Sequence, residues 1–315
     1  MRRVAAIDCG TNSLRLLIAE RLDARRLVDR VRRTEVVRLG QGVDVTGRIA
    51  PEALERALAV SAEYARVCEE WEVDAIRYVA TSASRDARNA ADFVEGVRAC
   101  FGARAVAPEV ITGREEAELS FRGATAAVAA AGFGGEYLVV DLGGGSTEFV
   151  RGARAMRQAI SMDLGCVRMT ERHLASAPPS AAEAMAVRAQ THVALDRVEA
   201  AVGLNGVRTL VGLAGSVTTL TAHALALEEY ADARVHLAEL TCAQTLEACA
   251  SLAAMSREEL AALPYMHPGR VDVMAAGALI WGTIVERVRV AAGEIPVVTS
   301  VHDLLDGIAQ DLASR

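Results

Sequence analysis

Apolar and polar positions in this chain fall into a pattern that is used twice. A short apolar run at 4–7 leads into Asp8-Cys9-Gly10-Thr11-Asn12-Ser13, and another at 137–140 leads into Asp141-Leu142-Gly143-Gly144-Gly145-Ser146. In both, Gly follows Asp by two positions and Ser by five, and the chain then turns apolar again. This predicts a strand, a tight glycine turn and a returning strand, once in each half. Between the hairpins, 51–71 reads as an amphipathic helix with proline in its first turn. A strand at 75–80, a helix through 89–100, a strand at 105–111 and a helix from 113 follow. The order β-β-β-α-β-α-β-α predicts an α/β layer fold.

The second half repeats that order with more helix. Residues 132–136 form a glycine-rich break, after which the second hairpin and a strand at 154–162 are expected. A helix from 163 should end before Pro178-Pro179, and a long helix should cover 181–202. A strand at 207–213, a turn at Ala214-Gly215-Ser216 and helices over 217–292 come next. A strand at 295–298 and a last helix from 301 close the chain. Two domains are expected, 1–124 joined by the returning C-terminal segment 299–315, and 125–298.

Composition narrows the class. Of 315 residues, 52% are hydrophobic and 24% charged, which suits packed globular structure rather than disorder. Aromatics are scarce, so Val, Leu, Ile and Ala must build the cores. All 34 basic residues are arginines, as a GC-rich genome would give. The net charge of −7 argues against broad nucleic-acid binding, which needs a basic face. The seven arginines at 21, 25, 26, 30, 32, 33 and 38 read as solvent-facing positions on two strands. Cysteines 9, 68, 100, 166, 242 and 249 lack metal or disulfide spacing. The short polar start leaves no room for a secretory apolar region, and the apolar stretch 273–285 is too short for a membrane span. A cytoplasmic protein that binds neither membrane nor nucleic acid is the expectation.

The candidate chemistry sits in the loops. Glycine without Cβ lets backbone N–H groups approach an anion, and hydroxyls add donors. Gly10, Thr11, Asn12 and Ser13 in the first loop, and Gly143, Gly144, Gly145, Ser146 and Thr147 in the second, are therefore candidate phosphate binders. Seven positions beyond each Asp stands a charged residue, Arg15 in the first copy and Glu148 in the second. Asp141 and Glu148 suit Mg²⁺, which takes a few carboxylates plus substrate oxygens and water; Arg15 is a countercharge. Thr112 and Glu115 have capping-box spacing, so Glu115 is expected to bond back to the helix start. Glu116 lies about 100° further round and is free to face elsewhere. Arg85 follows a strand and the polar run Thr81-Ser82, where a ligand-facing loop would lie. His223 and His267 read as ordinary helix or loop residues, and no Ser-His-Asp or Cys-His arrangement stands out.

Together these residues resemble the exopolyphosphatase / guanosine pentaphosphate phosphohydrolase (Ppx/GppA) family, within the superfamily of acetate and sugar kinases, heat-shock chaperones and actin. The resemblance runs through 7–16, Arg38-Leu39-Gly40, 81–89, 111–123, 139–149, 163–173, 212–220 and Pro268-Gly269-Arg270-Val271-Asp272. Thr-Ser-Ala-x-Arg-Asp-Ala-x-Asn and Gly-x-Glu-Glu-Ala are its specific motifs. The resemblance implies two actin-like, ribonuclease H-like α/β domains with the active site in the cleft between them. It implies Glu116 as catalytic base, Asp141 and Glu148 as ligands of Mg²⁺ or Mn²⁺, and Arg85 and Arg270 as phosphate binders. Inorganic polyphosphate is the implied substrate, with guanosine pentaphosphate the close rival, and a homodimer the implied assembly. A kinase-like ATPase using the same loops, or a guanosine-phosphate sensor without turnover, are the readings from other classes. Cys9, at a usually aliphatic position, and Val271, at a common alanine, depart from the family pattern. The resemblance is to the short two-domain type, which is expected to lack the extra C-terminal helical region of longer members.

Overall fold

The computed structural model describes residues 2–23 and 27–314. It divides into two compact units, Met1–Gly123 with Leu304–Arg315, and Ala124–Asp303.

In the first unit the alternating runs form β1 (Arg2–Cys9), β2 (Ser13–Arg21) and β3 (Leu27–Val36) as an antiparallel meander, joined by β4 (Ala75–Ala80) and β5 (Glu109–Val110). The sheet order is β3-β2-β1-β4-β5, with β1, β4 and β5 parallel. Because side chains alternate across a strand, β1 feeds two cores. Ala5, Ile7 and Cys9 pack with the helices Pro51–Glu70 and Ala90–Phe101. Val4 and Ala6 pack with Leu119 and the C-terminal helix Leu304–Ser314. A strand buried on both faces needs an apolar run rather than strict alternation, which is what residues 4–7 supply.

The C-terminal helix approaches closely. A Cβ on Gly307 would lie 2.0 Å from the Leu119 carbonyl oxygen, so only glycine fits. Gly307→Ala should destabilise by about 1–3 kcal/mol. The check is a urea titration in which the midpoint falls and the slope does not change.

The second unit repeats the topology. It comprises β6 (Tyr137–Leu142), β7 (Thr147–Gly152), β8 (Met156–Met162), β9 (Thr209–Leu213), β10 (Glu239–Leu240) and β11 (Val297–Thr299). Its order, β10-β11-β9-β6-β7-β8, is that of the first sheet extended by one short edge strand. The strands β6, β9 and β11 are parallel, as β1, β4 and β5 are. Long helices at Ala181–Val202, Cys242–Ala253 and Met274–Ala292 supply the core around Leu138, Val140, Phe149 and the buried Trp281.

Several elements differ from expectation. The strand predicted at 105–111 shrinks to Glu109–Val110, because 102–104 turn as a 3-10 helix and Ala105 takes a left-handed φ of 50°. The helix predicted from 163 starts at Cys166 after an extended Gly165. The predicted turn at 214–216 is the first turn of the helix Ala214–Ala224. The last helix begins at Leu304, since Ser300 and His302 bond each other first.

The arginine-rich β3 is not a bare basic surface. Arg30 pairs with Glu20, Arg33 with Glu63, and Arg32 with both Asp29 and the buried Asp306. Arg25 and Arg26 lie outside the described residues.

Candidate active site

The first glycine loop joins β1 to β2. Asp8 stands directly opposite Arg15 in the register, so their side chains share a face. Arg15 donates to Asp8 Oδ2 through Nε at 2.9 Å and Nη2 at 2.5 Å. This half of the duplication therefore neutralises itself. The turn is closed by Gly10 N–H to the Ser13 carbonyl at 2.9 Å. Burial, with the Asp8 charge adding to it, pushes the Cys9 thiol far up, so it serves as a small apolar side chain.

The second loop, between β6 and β7, closes in the same way, with Gly143 N–H donating to the Ser146 carbonyl at 3.1 Å. Its cross-strand pair is Asp141 and Glu148, two carboxylates where the first loop has an acid and a base. Both are buried, and Ser161 Oγ donates to Glu148 Oε1 at 2.7 Å. Among the described residues no group of three or more His, Cys, Asp or Glu side chains forms a metal cluster.

Both loops have their carbonyls held from behind. Gly40 N–H donates to the Thr11 carbonyl at 2.8 Å, and Val37 and Arg38 N–H donate to the Asn12 carbonyl at 3.1 and 2.8 Å. In the second loop, Cys166 N–H reaches the Gly143 carbonyl at 3.0 Å, and Val167 and Arg168 N–H reach that of Gly144 at 2.9 and 3.1 Å. A planar trans peptide points its N–H opposite to its C=O. The N–H groups of Asn12 and Ser13, and those of Gly144 and Gly145, are thereby aimed away from these supports. The supports come close enough to demand glycine. A Cβ on Gly40 would sit 2.3 Å from Thr11 Cγ2, and one on Gly165 would sit 2.2 Å from the Gly144 oxygen.

Glu116 lies in the first turn of the helix Gly113–Ala130 and is 7% exposed. Its Oε2 accepts from Arg85 Nη1 at 2.7 Å, and the same nitrogen donates to the Ile111 carbonyl at 3.0 Å. Arg85 ends a segment that also touches the first loop, through Ser82 Oγ and Thr11 Oγ1 at 2.8 Å. The neighbouring Glu115 does half of what its spacing suggested. Thr112 Oγ1 accepts from Glu115 N–H at 3.2 Å, but the Glu115 carboxylate goes to Arg77 Nη2 at 2.7 Å rather than back to the helix start. Arg77, itself buried, also binds Glu109 and Asp311. It thus ties β4, β5, the catalytic-candidate helix and the C-terminal helix together. Arg77→Met should cost about 1–3 kcal/mol, since the exposed carboxylates it leaves can hydrate. Thermal unfolding of the variant checks this.

In the second unit, Arg270 donates from Nη1 to Thr219 Oγ1 at 3.0 Å. Its guanidinium lies over Gly215, where a Cβ would meet Nε at 2.6 Å. Burial pushes the nearby Cys166 thiol up, while the Ser216 hydrogen bond and the Arg270 charge oppose that. Arg270 thus stands beside the segment that supports the second loop. His223 is structural, with one ring nitrogen on Tyr265 and the other on Ser251. Gly40, Gly165 and Arg168 fall within the segments that carry the resemblance, but sequence reasoning gave them no role. The available signal was a glycine at one end of the backbone segment that abuts each loop, Gly40 at the end of the first and Gly165 just before the second.

Two sheets of one topology, each with an Asp-x-Gly hairpin between its first two strands, define the class. Residues 18–311 match the family model of the Ppx/GppA phosphatase family, and the chain belongs to that family. It is 46% identical to Exopolyphosphatase 2 of Mycobacterium tuberculosis, over 99% of each chain. It resembles the crystal structure of an exopolyphosphatase-like protein at 43% identity and TM-score 0.93, covering 99% of this chain and 97% of that one. It also resembles the Aquifex aeolicus PPX-GPPA enzyme at 30% identity and TM-score 0.80, covering 98% and 99%. The fold is two α/β units of one sheet topology, as in that Ppx/GppA structure.

Proposed function

We propose that the protein is an exopolyphosphatase that removes terminal orthophosphate from inorganic polyphosphate, one unit per cycle. The observation that carries this reading is Glu116. It is a buried carboxylate held at one oxygen by Arg85, while the adjacent Glu115 is engaged by Arg77. A base so held has a fixed direction. Its role is to take the proton of a water whose oxygen attacks the terminal phosphorus. The bridging P–O bond then breaks, and its electron pair leaves on the shortened chain. The amides of Gly144 and Gly145, aimed as described, hold phosphate oxygens, as do those of the first loop. Arg85 in the first unit and Arg270 in the second each add positive charge that suits phosphate oxygens.

Asp141 and Glu148 fit a divalent cation of the Mg²⁺ or Mn²⁺ type. Two like-charged, buried carboxylates directly across a hairpin are stabilised by a cation, and substrate oxygens and water would complete its shell. When bound, that ion supplies charge neutralisation at the transferring phosphoryl group.

Among the described residues no helix is long and apolar enough to cross a membrane. The six cysteines are free, which suits a reducing cytoplasm. A homodimer is the assembly proposed.

The test incubates the protein with Mg²⁺ and, separately, short polyphosphate, long polyphosphate, guanosine pentaphosphate and ATP. Phosphate release fastest from polyphosphate supports the reading. Release confined to guanosine pentaphosphate transfers it to the rival substrate, and turnover of ATP alone replaces it with a kinase-like ATPase.

A further inference from the structure

The second glycine loop is held by three successive carbonyl contacts, and the third differs from the others. The carbonyls of Gly143 and Gly144 accept from main-chain N–H groups at the start of the helix Cys166–His173. The carbonyl of Gly145 accepts instead from a side chain, Arg168 Nε, at 2.8 Å. That guanidinium is buried, 8% exposed, and charge-assisted bonds of this kind are the stronger ones. In the first loop the equivalent supports are all main-chain, from residues 37–40.

We infer that Arg168 is a positioning residue, which aims the Ser146 N–H at substrate phosphate by fixing the peptide plane that joins Gly145 to Ser146. The inference rests on the proposed function. Three consecutive glycines have the widest backbone freedom in the chain. Left alone, each peptide plane would flip between presenting its N–H and presenting its C=O. A carbonyl turned towards phosphate repels it, so an unheld loop binds only through the fraction of its conformers that show donors. Main-chain contacts settle the first two planes. The third plane takes its donor from a side chain, Arg168. Gly165 belongs to the same device. Its backbone is extended, with φ −142° and ψ 158°, so no strain demands glycine there. The requirement comes from contact with the peptide that joins Gly144 to Gly145.

Two substitutions separate the hydrogen bond from the charge. The side-chain nitrogen of glutamine stands the same number of bonds from Cα as arginine Nε. Arg168→Gln therefore keeps a donor without charge, while Arg168→Met keeps bulk without a donor. Both are made in Glu116→Gln protein, so that Mg²⁺-tripolyphosphate is bound without turnover, and affinity is read by calorimetry. The expected result is about tenfold weaker binding for Arg168→Met and near-parental binding for Arg168→Gln. Equal affinities in all three proteins overturn the inference. So does an equal loss in both variants, which would mean that charge is what matters. A Glu116→Gln parent that binds no tripolyphosphate removes the functional reading, and the inference falls with it. Should Arg168→Met fail to fold, Arg168→Gln carries the test alone. Near-parental affinity is then expected, and a tenfold loss overturns the inference.

Discussion

Glu116→Gln lowers the rate of phosphate release from polyphosphate by about 10²–10⁴-fold, the usual contribution of a general base. The substitution is chosen to change little else. The amide oxygen can still accept from Arg85 Nη1, so the ion pair becomes a hydrogen bond from the guanidinium to a neutral acceptor and the helix start keeps its partner. The loss should fall on kcat, because a base that acts on water does not hold the chain of phosphates, and KM should move little. Glu115→Gln is the internal control. That carboxylate is 44% exposed and is occupied with Arg77, so its replacement should leave the rate nearly unchanged. Steady-state kinetics on the three proteins, with melting curves alongside, decide the matter. A Glu116→Gln enzyme as fast as its parent, or a Glu115→Gln enzyme as slow, would remove Glu116 from the reaction.

Which of two adjacent glutamates does chemistry was half legible in the chain. Helical geometry separates them by about a quarter turn, and Thr112 identifies the one tied to the helix start. The tertiary partners were not legible. Arg77 lies on β4 and Arg85 on the segment after it, and only the folded sheet brings one to Glu115 and the other to Glu116. The hairpins were readable for a related reason. Their signal is local, an apolar run on each side of an Asp-x-Gly turn, and the register follows from the turn. Where the signal was local but misleading, the fold departed from it. Residues 105–111 are small and apolar like a strand, but Gly102, a left-handed Ala105 and Pro108 break the run, and two residues pair. The helix expected from 163 is delayed to Cys166 because Gly165 must lie flat against the Gly144 carbonyl. That is a contact between segments twenty residues apart, and periodicity carries no trace of it. The two-residue β10 at the far sheet edge gave no pattern to read.

Loss of a carboxylate from the second hairpin should affect metal dependence, and loss of its counterpart in the first should affect only stability. The two hairpins place charges at the same cross-strand position. In one, Asp8 meets Arg15 and the pair is internally neutral; in the other, Asp141 meets Glu148. Two buried carboxylates on one face repel, and a divalent cation relieves that at the same stroke as it meets phosphate. Glu148→Gln should therefore raise the Mg²⁺ concentration for half-maximal phosphate release by at least about tenfold, the lower end for disturbing a metal's surroundings. The folded protein itself should become no less stable without metal, since one of two repelling charges is gone. Arg15→Gln should do the reverse. It leaves Asp8, almost fully buried, without its guanidinium, at a cost of about 3 kcal/mol. Its Mg²⁺ requirement should be that of the parent. Magnesium titrations of activity, paired with urea unfolding in EDTA, measure both quantities on both variants. If Glu148→Gln keeps the parental Mg²⁺ requirement, the carboxylate pair is not the metal's seat. If instead Arg15→Gln shifts that requirement, the first hairpin shares in holding the ion, and the division of labour drawn from the two registers is wrong.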